Sequence, residues 1–455
     1  MDNIPAMSKP LDIRKEVATR KYKKPFWLWY LIYYVVGRTH LLGAKYHPHF
    51  EIIDKLPKKG PAFIVWNHQS RRDHTFLCTA AWPRKMSMLC EYNEFFRSHL
   101  HWAFKKAKIL PKKPFDNSDF VGMKAINSII NAGGVVAISP EGNSSNFGNN
   151  QPVALGTGKL LKHYKVPVYM MKLTGSYLTN NKNFDEDRLG EVYGKFYKLY
   201  DKEDLEKLTD LEIEDQLNLE FKMDDYEWNK TARVKYKGKS GMAVHLADMC
   251  YKCPKCGEEF SMVSEGDEIK CLKCGNGATL DEYYDFHPFE GSIMPESPCK
   301  WVIQERADII KEIRENDQYR FETDVDLGML PNDHYLTDYK TSEKVGEGKL
   351  IIDHSGVHFV GSKNGEPFTI DLNYTQIYTF NVPVDLSKIA VYVKSEYHEF
   401  APKNRSAATK ALLLVEEMHR LHVNAWKNFP WFDYVYKPYK KYDLKGLLKW
   451  KTKKF

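Results

Sequence analysis

His68 and Asp73 stand five positions apart in Asn67-His68-Gln69-Ser70-Arg71-Arg72-Asp73. An imidazole oriented by a carboxylate is a competent general base, because the carboxylate fixes the tautomer and stabilises the imidazolium. On an unbroken helix, five positions would set the two side chains about 140° apart. They can meet only if a turn carries the intervening residues and the helix starts late. A second polar stretch, Ser139-Pro140-Glu141-Gly142-Asn143-Ser144-Ser145, follows about seventy residues on. Gly142 permits a tight turn. Asn143, Ser144 and Ser145 offer neutral hydrogen-bonding groups, and Glu141 can hold a hydroxyl or order a basic neighbour. A third pattern is Cys253-x2-Cys256-x14-Cys271-x2-Cys274, with Gly257 and Gly275 after each pair. Four thiolates at this spacing close a tetrahedral structural zinc site. Cys250 is near enough to compete as a ligand, but the paired spacing argues against it.

Both polar stretches follow apolar runs with the character of buried strands. Ala62 to Trp66 precedes His68, and Val135 to Ile138 precedes Ser139. Further strands are expected at 85–90, 166–171 and 191–200, with helices at 92–107 and 120–132, the latter stopped by Gly133-Gly134. Strands alternating with helices imply an α/β layer fold with a mostly parallel sheet, in which active residues sit beyond the carboxyl ends of strands.

Together and in this order, the two stretches resemble the glycerol-3-phosphate and lysophospholipid acyltransferase family, whose signatures are NHxxxxD and (F)PEG(T)(R)S. Asn67, His68 and Asp73 match the first; Pro140, Glu141, Gly142 and Ser145 match the second. Residues 93–113, ending Ile109-Leu-Pro-Lys112-Lys113, resemble the family's acceptor-binding segment, and Val166-Pro-Val168 resembles a late block. The resemblance covers roughly residues 45–230. It implies transfer of a fatty acyl group from acyl-CoA or acyl carrier protein to a hydroxyl of a lysophospholipid or glycerol phosphate. His68 and Asp73 would be catalytic. Asn67, Lys112, Lys113, Pro140, Glu141, Gly142, Asn143, Ser144 and Ser145 would bind substrate. The sequence departs from the family where Asn143-Ser144 replaces Thr-Arg and where lysines replace the arginine closing the acceptor segment. A lysine is a point charge and not a bidentate fork; Lys159 and Arg71 or Arg72 could compensate. The departures also leave open a weakly catalytic lipid-sensing or scaffold protein on the same fold.

The chain has 455 residues and a net charge of +7, unevenly placed. Residues 427–455 hold nine lysines against two aspartates, and the last thirty residues hold ten aromatics. Rings at headgroup level with lysines facing anionic lipid suit a membrane surface. Nucleic acid is not expected as a partner, because the loop between the cysteine pairs is acidic. The apolar run Phe26 to Val36 is too short to span a bilayer, which takes about 20 residues. It reads either as an interfacial anchor or as a core helix over the first domain. Scattered thiols beside paired ones indicate a reducing compartment, and the protein is expected to be cytoplasmic and peripheral on the inner face of a membrane. The expected organisation is a basic, aromatic interfacial segment at 1–44, the acyltransferase domain at 45–250 and a zinc ribbon at 251–280. A helical linker at 281–344 follows, then a β-rich domain at 345–425 resembling pleckstrin-homology or GRAM modules and closed by a helix, and a membrane-contacting tail at 426–455.

Overall fold

The computed structural model describes residues 11–43, 47–116, 118–183, 186–337 and 340–423; at 39–43 and 47 it describes the backbone alone. The tail expected to contact a membrane, 426–455, lies outside the described residues, as do the first ten.

The N-terminal half runs α1 (Ile13–Thr19), α2 (Trp27–Gly43), β1 (His47–Ile52), β2 (Ala62–Trp66), α3 (Asp73–Ala81), β3 (Met86–Glu91), a 3-10 turn (Tyr92–Phe96), α4 (Ser98–Ala107), β4 (Leu110–Lys112), α5 (Phe120–Asn131), β5 (Val135–Ile138), α6 (Thr157–Tyr164), β6 (Val168–Thr174) and β7 (Glu191–Tyr200). The seven strands form one sheet in the order β1-β7-β6-β2-β5-β3-β4. The five from β6 to β4 are mutually parallel, while β7 runs against β6 and β1 follows β7. The fold is α/β with a mostly parallel sheet flanked by helices.

Every residue of β2 and β5 is buried, as strands covered on both faces require. Their side chains alternate between two cores. Ile64 and Ala137 meet Ile13, Tyr30 and Phe76 from α1–α3, while Phe63 and Val136 meet Ile126, Ile129 and Leu217. Each such aliphatic or aromatic side chain contributes about 1.5–3 kcal/mol by burial. The register that sets Val65 against Ile138 fixes the site, because His68 and Glu141 each lie three residues beyond those partners.

Helices α7 (Lys202–Lys207), α8 (Asp210–Phe221), α9 (Asp225–Ala232) and α10 (Leu246–Met249) lead to a four-stranded antiparallel ribbon, β8 (Met262–Glu265), β9 (Glu268–Cys271), β10 (Gly277–Leu280) and β11 (Phe286–Pro288). Helix α11 (Pro298–Glu315) follows. Strands β12 (Arg320–Met329), β13 (Glu343–Asp353), β14 (Gly356–Lys363), β15 (Glu366–Leu372), β16 (Ile389–Val393) and β17 (Glu396–Pro402) make a six-stranded antiparallel sheet closed by α12 (Ala407–Val423).

Two sequence expectations differ from this. The stretch 281–344 is not a helical linker throughout, since β12 lies inside it and pairs with both β13 and β17 in the sheet's interior. Its outward Glu322, Asp324 and Asp326 mask a period-two pattern whose inward members, Phe321, Val325 and Leu327, are buried. Residues 11–24 are also not purely interfacial, because Ile13, Val17 and Tyr22 are buried against the domain. Helix α2 packs one face on the domain and leaves another in solvent. Tyr30 is buried and Tyr34 stacks on Trp82 with 4.2 Å between ring centroids, whereas Trp27, Val35 and Val36 are exposed. Among the described residues no helix is long and apolar enough to cross a membrane.

Candidate active site

β2 delivers Asn67 and His68 to the carboxyl edge of the sheet. Asn67 is fully buried and extends the sheet with its side chain: Nδ2 donates to Leu173 O at 2.7 Å, and Oδ1 accepts from Leu173 N at 2.7 Å. It locks β2 to β6 and does not line the cavity described below. A turn then carries residues 68–72, and α3 begins at Asp73. That late start brings His68 Nδ1 to 2.8 Å from Asp73 Oδ2.

Asp73 is buried, and its oxygens are fully engaged. Oδ2 also accepts from Gln69 N at 2.6 Å and Ser70 N at 3.1 Å, while Oδ1 accepts from Ser70 Oγ at 2.9 Å and Ser176 Oγ at 2.8 Å. With Nδ1 turned to Asp73, Nε2 is the ring nitrogen left for the cavity.

The Pro-Glu-Gly loop holds His68 through its backbone. Glu141 Oε2 accepts from His68 N at 2.6 Å, Oε1 accepts from Gln151 N at 2.7 Å, and Ser145 N donates to His68 O at 2.7 Å. Burial pushes the Glu141 carboxyl up to about 8, against the lowering effect of its two amide donors. Gly142 sits at φ +75°, and a Cβ there would lie 2.6 Å from the Phe115 ring, so both conformation and space require glycine. Ser145 turns its hydroxyl into the loop, donating to Asn149 O at 2.6 Å. Asn143 reaches the loop between β15 and β16 of the C-terminal domain, where Nδ2 donates to Phe380 O at 3.1 Å and Oδ1 accepts from Val382 N at 3.2 Å. Glu141, Asn143 and Ser145, expected to bind substrate, therefore have their polar atoms committed to backbone partners, because a sharp loop leaves amides and carbonyls that its own side chains must satisfy.

His68 opens into a cavity of about 1430 Å³, lined mainly by apolar side chains. Pro140, Gly142, Asn143 and Ser144 line it beside His68, as do Lys112, Lys159 and Arg71. Lys112 pairs with Asp119 at 3.0 Å. Lys113 turns away from the cavity: its Nζ donates to Ser395 O at 2.8 Å and lies 4.8 Å from the Tyr92 ring centroid. Arg72 pairs with Asp187 at 3.0 Å.

Several lining residues carried no signal in the sequence reading. Lys182 is buried, with Nζ donating to Asn146 Oδ1 at 3.0 Å and Val382 O at 2.8 Å; burial pushes its ammonium down to about 7. Glu91 accepts from Asn381 Nδ2, and burial pushes its carboxyl up to about 8. His74 stacks on Tyr33, and burial lowers its imidazole to about 4, so it is neutral where His68 would work. Tyr378 and the segment Asn381 to Val384 of the C-terminal domain form one wall. Their distance along the chain from every motif hid them. Ser176, which holds Asp73, sits in a turn after β6 that resembles any polar loop.

Residues 47–173 match the model of the Acyltransferase family. The matched segment runs from β1 into β6 and contains His68, Asp73 and the Pro-Glu-Gly loop. Among solved structures, the chain is similar to the crystal structure of the 1-acyl-sn-glycerophosphate (LPA) acyltransferase PlsC from Thermotoga maritima, at 14% identity, over 45% of this chain and 79% of that one, with a TM-score of 0.35. No curated protein matches the chain.

The ribbon brings the four cysteines together outside the segment that matches the family model. Cys253, Cys256, Cys271 and Cys274 offer sulfurs that all lie within 4.8 Å of one another. Cys253 and Cys274 are 3.6 Å apart, Cys256 and Cys271 3.8 Å. Zinc–sulfur bonds of about 2.3 Å in a tetrahedron set sulfurs roughly 3.8 Å apart, so the cluster fits such a metal. Gly257 and Gly275 take φ of +74° and +73° at the knuckles. Cys250 is buried elsewhere in the core and is not part of the cluster. The ribbon shares one core with α11, α12 and the C-terminal sheet: Cys253, Cys271, Trp301, Phe321 and Leu413 belong to it together.

Proposed function

We propose that the protein transfers a fatty acyl group from the thioester of CoA or acyl carrier protein to a hydroxyl of a lysophospholipid or glycerol phosphate. The observation that carries this reading is the 2.8 Å contact between His68 Nδ1 and Asp73, with the other ring nitrogen left for the cavity. Nε2 removes the proton of the acceptor hydroxyl as its oxygen attacks the thioester carbonyl carbon. The tetrahedral intermediate expels the thiolate, the C–S bond breaks, and the imidazolium returns its proton to the sulfur. Asp73 holds the tautomer and stabilises the imidazolium. The cavity exceeds the roughly 300–1,000 Å³ of a pocket for one small ligand, which suits an acyl chain and an acceptor side by side.

The mouth of the cavity supports a membrane-borne substrate. Ile32, Val36, Trp102, Met123 and Leu155 line it and are solvent-exposed, and Lys106 Nζ lies 4.9 Å from the Trp29 ring centroid. Exposed apolar groups with adjoining aromatic–lysine pairs suit a peripheral protein whose site faces the headgroup layer. The cysteine cluster would hold a structural zinc ion that fixes the C-terminal wall.

The test is purified protein with labelled acyl-CoA and lysophosphatidic acid. A diacyl product is expected from the native chain and none from His68→Ala, with zinc content unchanged. Full activity in His68→Ala would remove the mechanism.

A further inference from the structure

The Pro-Glu-Gly loop, residues 140–146, holds no cation, and its Asn143 is committed to the loop between β15 and β16. A buried cation is nevertheless present in the same cavity. Lys182 follows the turn after β6, is 6% exposed, and lines the cavity that His68 lines. Its Nζ donates to two neutral oxygens, Asn146 Oδ1 and Val382 O. An ammonium has three donors, so a third is available to a ligand. Burying an ammonium is costly unless charge partners offset it. Glu91 lies close enough to favour the ammonium electrostatically, yet Lys182 remains well below the usual lysine range. An anion entering the cavity would meet an ammonium that is poorly hydrated and held in place.

The two oxygens that hold this amine come from different domains. Asn146 belongs to the Pro-Glu-Gly loop. Val382 belongs to the C-terminal domain and is clasped through its N–H by Asn143. Asn381, one residue earlier, donates to Glu91 across the same seam.

Resting on the acyl-transfer reading, we propose that Lys182 Nζ binds the phosphate of the acyl acceptor, and that the loop between β15 and β16 completes this half of the site by holding the amine through the Val382 carbonyl. Lys182 thus contacts substrate, and Asn143 is a positioning residue.

The test compares native protein with Lys182→Met, Lys182→Arg and Asn143→Ala. Binding of glycerol 3-phosphate and of glycerol is measured by calorimetry, and acceptor and donor KM by transfer assay. Lys182→Met is expected to weaken glycerol 3-phosphate binding and raise KM for lysophosphatidic acid by about 10- to 100-fold, the range for losing a charge-assisted hydrogen bond. KM for the acyl donor and for monoacylglycerol, which lacks a phosphate, should hold within about twofold. Lys182→Arg should restore part of the loss, and Asn143→Ala should raise acceptor KM by a smaller factor. Circular dichroism and zinc content identify a variant that fails to fold, and Lys182→Arg then carries the comparison. Native-like glycerol 3-phosphate binding in Lys182→Met, or no binding by the native chain, overturns the proposal. Absence of any diacyl product from the native chain overturns the enzymatic reading instead, and leaves the calorimetric comparison standing.

Discussion

The backbone N–H of His68 donates to Glu141 Oε2 at 2.6 Å, so a carboxyl group from one motif sets the backbone of the histidine from the other. The pairing follows from the parallel register of β2 and β5, which brings both loops to the same edge of the sheet. Glu141→Gln replaces one acceptor oxygen with an NH2 group that faces an N–H. A fall in kcat of about 10- to 100-fold is expected with acceptor KM nearly unchanged, the pattern of a lost positioning contact. A raised acceptor KM at native kcat would mean instead that Glu141 touches the substrate.

Asp73 receives hydrogen bonds from Ser70, Ser176 and two backbone amides besides that of His68. Asp73→Asn preserves the shape but presents an amide where a charge is needed to hold the tautomer. Steady-state kcat should drop by about 10⁴-fold, the scale known for such a replacement in a catalytic triad. Ser176→Ala, which removes one of several donors, should cost far less. Equal losses in the two variants would contradict the proposed division of roles.

The thiolate cluster predicts metal-dependent integrity of the C-terminal wall. Cys253→Ser should lose zinc, measured by elemental analysis, and should lower the thermal midpoint, because Cys253 and Cys271 belong to the same core as α11 and α12. Structural zinc contributes apparent free energies of about 10–16 kcal/mol in small zinc modules at pH 7. An unchanged midpoint after complete chelation would show that the ribbon folds without metal.

A pH dependence follows from Lys182, whose ammonium burial pushes down to about 7. The charged groups that act on it are Glu91 and Asp385, which favour its charge, and Arg71, which opposes it. The protonated amine binds phosphate, so acceptor affinity should be full below about 7 and fall as pH rises through that value. A phosphate monoester becomes dianionic above about 6, which works in the opposite direction. Lys182→Arg, always charged, should lose the alkaline decline in acceptor affinity. A decline that persists in this variant would place the titration elsewhere.

The exposed face of α2 predicts membrane contact. Trp27 and Val35 are 58% and 47% exposed, and neither lines the cavity. Trp27→Ser with Val35→Ser should reduce co-sedimentation with anionic phospholipid vesicles while leaving the thermal midpoint nearly unchanged, since exposed substitutions shift stability by about 0.5 kcal/mol or less. Native vesicle binding in the double variant would argue that this face contributes little.

The composition and order of residues determined the local elements and the candidate chemistry. Uniformly apolar runs announced β2 and β5, and the spacing of His68 and Asp73 demanded a turn before a late helix, which starts at Asp73. Two tight cysteine pairs announced a metal cluster. These features are encoded within a few neighbouring residues, where backbone geometry alone relates spacing to position.

Only the tertiary structure decided which polar atoms point at one another. It assigned Asn67, Glu141 and Ser145 to backbone partners, turned Lys113 away, and brought Lys182, Glu91 and the segment 381–384 around one cavity. It also moved β12 from an expected linker into the middle of a sheet. Contacts such as Asn143 with Val382, separated by 239 positions, depend on how two domains pack and on which buried polar groups must be satisfied once water is excluded. No local pattern carries that information, because it arises when separate layers meet.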